Sequence, residues 1–149
     1  MPLKEKIETE LKASLKKADH FRVGVLRLLL SSIHNEEIAK RGRQAESVLT
    51  DEEISAVLRR EAKKRKEAIA IYSGTARKDL LEQEEKELGL IQEYLPPELS
   101  REAVEETVRK IVISGGKDFS SVMREAMKEL KGRVDGNLVS EVVREILEK

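Results

Sequence analysis

Apolar residues recur along this chain at intervals of three and four, the spacing that lines one side of an α-helix. Leu3, Ile7, Leu11, Leu15 and Ala18 make a first stripe. Phe21, Val25, Leu26, Leu29, Leu30 and Ile33 make a second, wider one that runs out near Gly42. Asp19 stands where its carboxylate can cap the second helix by accepting an orphan backbone amide. After a polar link at 43–49, Thr50-Asp51-Glu52-Glu53 has the form of a capping box: the Thr hydroxyl takes the amide three residues on, and the Glu carboxylate reaches back. The helix it opens carries Ile54, Leu58, Ala62, Ile69 and Tyr72 and stops near Gly74. The next carries Leu80, Leu81, Leu88, Ile91 and Leu95.

Pro96-Pro97 cannot continue a helix, because proline lacks the amide and forces the preceding residue out of the helical region. Ser100 restarts one, with Val104, Val108, Ile111 and Val112 along one side, and Gly115-Gly116 breaks it. A sixth helix holds Val122, Met123, Ala126, Met127 and Leu130, with the two methionines read as packing residues. A seventh holds Leu138, Val139, Val142, Val143, Ile146 and Leu147. No segment shows the alternation of a hairpin. The pattern predicts an all-α protein with two helical domains, a longer-helix N-terminal four-helix domain at 1–96 and a compact three-helix C-terminal domain at 97–149. Short links predict antiparallel neighbours.

Two polar residues break the apolar faces. At about 100° per residue, Arg65 falls among Ile54, Leu58, Ile69 and Tyr72, and Glu84 among Leu80, Leu81, Leu88 and Ile91. Counted from the turn at 74–76 they reach similar heights, so either they pair across the two helices or Arg65 snorkels to water.

Composition changes this picture only locally. Among 149 residues, 29 Lys and Arg balance 29 Asp and Glu, so overall charge points to no polyanion and only clustering can. Two Phe, two Tyr and no Trp argue against a base-stacking platform. The absence of cysteine excludes disulfides and thiolate metal sites and fits a reducing cytoplasm, the expected location. The start is polar and charged, unlike a signal peptide, and the run Val25–Leu30 is too short and interrupted to cross a bilayer, so no membrane role is expected.

Arg59, Arg60, Lys63, Lys64, Arg65 and Lys66 surround a single acid, Glu61, for a local charge of +5. Arg59, Arg60, Lys63, Lys64 and Lys66 lie opposite the apolar stripe. They read as an exposed ridge that tracks phosphates, or as a solvated face partly neutralised by Asp79, Glu82, Glu84, Glu85 and Glu87. Lys131-Gly132-Arg133-Val134-Asp135-Gly136 reads as helix punctuation, with Gly132 as a left-handed cap and Asp135 or Gly136 near the next start. A phosphate seat beside the next helix start is the alternative. His20 and His34 are too far apart along the chain to share a helix turn and read as structural. Gly115-Gly116-Lys117-Asp118 lacks the spacing of a phosphate loop. No catalytic residue, metal site or cofactor is predicted.

Several pieces, in order, carry a likeness. They are Val25-Leu26-Arg27-Leu28-Leu29, Asn35-Glu36-Glu37-Ile38, Lys40-Arg41-Gly42, Lys63-Lys64-Arg65-Lys66-Glu67, Tyr94-Leu95-Pro96, Val122-Met123, Lys131-Gly132-Arg133, Asp135-Gly136 and Leu138-Val139. Over nearly its whole length the chain resembles the GatB/YqeY-type proteins. It departs from them at Ser120-Ser121, where relatives often have Gly-Lys.

The resemblance implies two helical domains joined at the Leu-Pro step. It also implies a C-terminal domain similar to the tail of the B subunit of the glutamine-dependent aspartyl/glutamyl-tRNA amidotransferase, where the tail contacts the body of the tRNA. The catalytic domains of that enzyme have no counterpart here. The expected function is therefore a non-catalytic tRNA-associated module, with an amidotransferase or aminoacyl-tRNA synthetase as a possible protein partner. Arg124, Lys128, Lys131 and Arg133 are the expected phosphate contacts, and Arg59, Arg60, Lys63, Lys64 and Lys66 a second patch. The alternatives are a protein–protein adaptor and an accessory in carbon–nitrogen ligase activity.

Overall fold

A computed structural model describes residues 2–43, 48–130 and 133–148. These form seven helices: α1 (Leu3–Lys16), α2 (His20–Arg43), α3 (Asp51–Tyr72), α4 (Lys78–Gln92), α5 (Arg101–Ile113), α6 (Phe119–Leu130) and α7 (Gly136–Glu148). There is no strand among the described residues. The chain divides into two compact units, Met1–Leu95 and Pro96–Lys149.

In the first unit α1 packs chiefly on α2 and α3 on α4, with α2 also touching α3 and α4. Ile7, Leu26, Leu29, Ile33, Leu58 and Ile91 are fully buried at its centre. In the second unit each of α5, α6 and α7 packs on the other two. Its core is small and β-branched, with Val104, Val108, Val122, Val139 and Val142 fully buried. Burial of these aliphatic faces is the main force holding each helix in place, since isolated helices of this length are marginal in water.

The helix ends follow local chemistry. Asp19 Oδ1 accepts the Arg22 amide at 3.1 Å, Ser100 Oγ the Ala103 amide at 3.2 Å, and Thr50 with Glu53 completes the capping box. The α1 stripe ends earlier than its spacing predicts. Leu15 is 49% exposed, and Ala18 lies beyond the helix at φ 55°. There the Asp19 amide bonds to Ser14 O and the Ala18 amide to Leu15 O, a left-handed cap usually given to glycine. Phe21 also faces solvent, because α2 turns Val25, Leu26 and Leu29 inward instead. Between α5 and α6, Gly115 adopts φ 122°, and a Cβ on Gly116 would stand 2.9 Å from Val122 Cγ2, so this turn needs both glycines.

Candidate nucleic-acid interface

In the predicted ridge on α3, Arg60, Lys63, Lys64 and Lys66 are exposed, and two of them already meet acids. Arg60 meets Glu36 of α2 at 3.2 Å, and Lys64 meets Glu61 at 3.2 Å. Arg59 is half-buried, and both it and Lys66 are engaged with neighbours. Lys63 stays exposed with no ion pair among the described residues. The acids that meet Arg60 and Lys64 come from α2 and from α3 itself, while Glu84 and Glu87 of α4 serve another purpose.

That purpose is Arg65. Its Nε donates to Glu87 Oε2 at 2.9 Å, lies 3.7 Å from Glu84 Oε2, and its Nη1 donates to Glu61 at 3.3 Å. The expected pairing with Glu84 is present as an ion pair, but the hydrogen bond goes one turn further along, to Glu87. Glu84 Oε2 is left buried with no hydrogen-bond partner. Glu61, which composition presents as the lone acid in a basic run, is buried at 7% exposure. It also accepts from Ser32 Oγ of α2 at 3.0 Å, so it joins three side chains on two helices.

A second buried charge escaped the sequence reading. Lys40, at the end of α2, is 8% exposed. Its Nζ donates to Val48 O at 2.8 Å and to Glu53 Oε1 at 2.9 Å. Together with the Thr50 amide, this bond holds the Glu53 carboxyl at about 2, far below its ordinary 4.5. The signal was a lysine in an otherwise solvent-facing helix end, which no periodicity marks as buried.

In the second unit, Arg124, Lys128 and Arg133 all face solvent. Lys128 touches Glu125 at 3.2 Å, an exposed contact within α6. Arg133 makes no ion pair among the described residues; its backbone is pinned by the Leu130 carbonyl on one side and the Leu99 amide on the other, both at 3.0 Å. Lys131, and the expected left-handed cap at Gly132, lie outside the described residues. Asp135 Oδ1 accepts the Asn137 amide at 3.0 Å, so a carboxylate already serves the start of α7. That disfavours a phosphate seated on the α7 amides and leaves side chains as the available contacts.

Arg144 of α7 and Phe119 of α6 form a cluster that sequence spacing does not disclose. The Arg144 guanidinium stands 5.6 Å from the Phe119 ring centroid. His20 and His34 are exposed, on different turns of α2. Among the described residues no group of three or more His, Asp or Glu could hold a metal ion. Two clefts are present in the first unit. One of about 230 Å³ is lined by residues that include Lys4, Glu37, Asp51 and Ile54, and one of about 320 Å³ by residues that include Phe21, Asp79, Glu82 and Lys86. Both open to solvent at the rims of helices.

Residues 4–147 match the family described as Yqey-like protein. The chain belongs to this YqeY-like family. Two similar curated proteins come from fungi. Altered inheritance of mitochondria protein 41, mitochondrial, of Saccharomyces cerevisiae is 28% identical over 131 residues, spanning 84% of this chain and 68% of the relative. The protein of the same name from Pyrenophora tritici-repentis is 22% identical over 148 residues, spanning 95% and 79%. No helix among the described residues of this YqeY-like chain is long and apolar enough to cross a membrane.

Proposed function

We propose that this YqeY-like protein is a non-catalytic module that binds RNA phosphates, with tRNA as the partner. The observation that carries the reading is the display of Arg124, Lys128 and Arg133 on the surface of the Pro96–Lys149 unit, away from any buried carboxylate. Exposed ion pairs such as Lys128–Glu125 are worth at most about 1 kcal/mol, so a phosphate displaces them at little cost. On α3, Lys63 remains available, while Arg60 and Lys64 would have to exchange Glu36 and Glu61 for phosphate. The second patch is therefore weaker than the first. The resemblance of the C-terminal unit to the amidotransferase tail supports tRNA over other RNA, and supports an amidotransferase or synthetase as companion. We infer a cytoplasmic location, with which a cysteine-free chain is compatible; the word mitochondrial belongs to the names of its fungal relatives.

The test is a titration of tRNA across salt. Five phosphate contacts give log affinity a slope against log salt of about −4. Arg124→Glu combined with Arg133→Glu removes two contacts and lowers the magnitude of that slope by about 2. Absence of tRNA binding by the intact protein at low salt ends this reading.

One observation favours a protein–protein adaptor instead. Phe21, Leu28 and Ile38 on the outer side of α2 are each 38–50% exposed, an unusual apolar content for a solvent-facing helix side. An accessory role in carbon–nitrogen ligation would run through such a contact with a catalytic partner.

A further inference from the structure

We propose that Phe119 is a stacking platform for one unpaired nucleobase, with Arg144, Arg124 and Lys117 holding the flanking phosphates. The proposal rests on the RNA reading above and adds to it the class of nucleotide bound.

Phe119 is the first residue of α6 and is 37% exposed, although the rest of the apolar face of that helix is turned into the core. The part of the ring that stays in water is apolar area a flat ligand could cover. Arg144 covers part of it, with the guanidinium 5.6 Å from the centroid, and Arg144 makes no ion pair among the described residues. A guanidinium over an aromatic ring leaves the remainder of the ring for a second flat group, the arrangement in which proteins stack bases of single-stranded RNA. A base within a duplex has both faces occupied by its neighbours and cannot use such a platform.

The charges agree. From Lys117 to Arg124 the only acid is Asp118, against two cations, and Arg144 adds a third from α7. Lys117 and Arg124 are exposed. The acids that neutralise α7 elsewhere, Glu141 and Glu145, are drawn off to Arg101.

The backbone on either side of Phe119 is held by local bonds. The Gly116 amide bonds to Ile111 O at 3.1 Å and the Val122 amide to Asp118 O at 3.1 Å, and Gly116 fits only because it lacks a Cβ. Little ordering of this backbone is therefore required on binding. The shortage of aromatics argues against a base-stacking platform; the proposal departs from that expectation at one ring, on its partial exposure and on the Arg144 guanidinium beside it.

The chain has no tryptophan, so Phe119→Trp installs a unique fluorophore at the site. The whole 149-residue chain carrying it is titrated with tRNA and, separately, with a blunt RNA duplex and with polyglutamate. Stacking predicts that tRNA at saturation quenches the emission by half or more and that the blunt duplex quenches far less. Phe119→Ala and Phe119→Leu should each weaken tRNA binding about tenfold while leaving the salt slope unchanged, because no phosphate contact is lost. A purely structural role would be rescued by leucine, so equal loss in both variants supports stacking, and rescue overturns it. Unquenched emission at saturation, with wild-type affinity in the alanine variant, overturns the platform and leaves the RNA reading intact. Quenching by polyglutamate in place of tRNA assigns the cluster to an acidic protein and overturns it. Failure of the wild-type protein to bind tRNA at low salt removes both readings together.

Discussion

Lys40 joins three pieces of chain at one nitrogen: the last turn of α2, the carbonyl of Val48, and the Glu53 carboxylate in the first turn of α3. Glu53 in turn closes the capping box by accepting the Thr50 amide at 3.0 Å. These bonds, Lys40 first, draw its carboxyl down to about 2 from an ordinary 4.5. A carboxyl whose pKa is lower folded than unfolded stabilises the fold when ionised. That contribution is complete above the unfolded value and is lost as pH falls from about 4.5 toward 2. Glu53→Gln should therefore be less stable than wild type at pH 7 and should lose less further stability on acidification. Urea unfolding at pH 6 and pH 3 checks this; equal acid sensitivity of the two proteins would contradict the assignment. The capping box itself was legible in Thr50-Asp51-Glu52-Glu53, because it acts within four residues. The part played by Lys40 was not, because it depends on where the polar link returns.

At the scale of helices, the α3–α4 hairpin is held by apolar burial and keyed by charge. Arg65, with Glu84 and Glu87 beyond the turn, sets the register of the two helices. Hydrophobic rotation alone placed Arg65 and Glu84 on the facing sides. It could not choose between Glu84 and Glu87, because one helical turn of offset decides which carboxylate meets the guanidinium. Breaking a buried pair leaves its partner's charge uncompensated, so Arg65→Met should cost about 3 kcal/mol. Replacing Glu84 by Leu in the same chain should recover part of that loss, since Glu84 Oε2 is buried and Arg65 is its ion-pair partner. Urea unfolding of the single and double variants measures the difference; a single-variant loss below about 1 kcal/mol would show that Arg65 snorkels and that the three carboxylates are solvated. Another element departed from its pattern. Leu15 has the right spacing for burial, yet the cap at Ala18 ends α1 beside it and leaves it 49% exposed.

At the scale of the molecule, two separate apolar cores lie on either side of the double proline. Removing a buried leucine costs about 2–5 kcal/mol through lost transfer energy and the cavity left behind. We expect Leu58→Ala to reduce hydrogen-exchange protection throughout Met1–Leu95 while the core amides of Pro96–Lys149 keep theirs. Equal loss in both units would show that they unfold as one. The distribution of charge also belongs to this scale. With as many acids as bases, the protein has no net attraction for a polyanion, so the RNA reading depends on which cations the fold leaves unpaired.

Helix type, number and order were determined by the chain alone, because three-and-four spacing, caps, prolines and glycines act over a few residues. The double proline and the Gly115-Gly116 turn belong to the same short-range class. Tertiary structure decided which charges are spent. It buried Glu61 and Lys40, paired Arg60 with Glu36 of α2, and set Arg144 of α7 over Phe119 of α6. Partners far apart along the chain meet only through packing, and a one-turn shift changes which carboxylate meets which cation. That is why the helices could be read from periodicity, whereas the available cations could be read only from the folded surface.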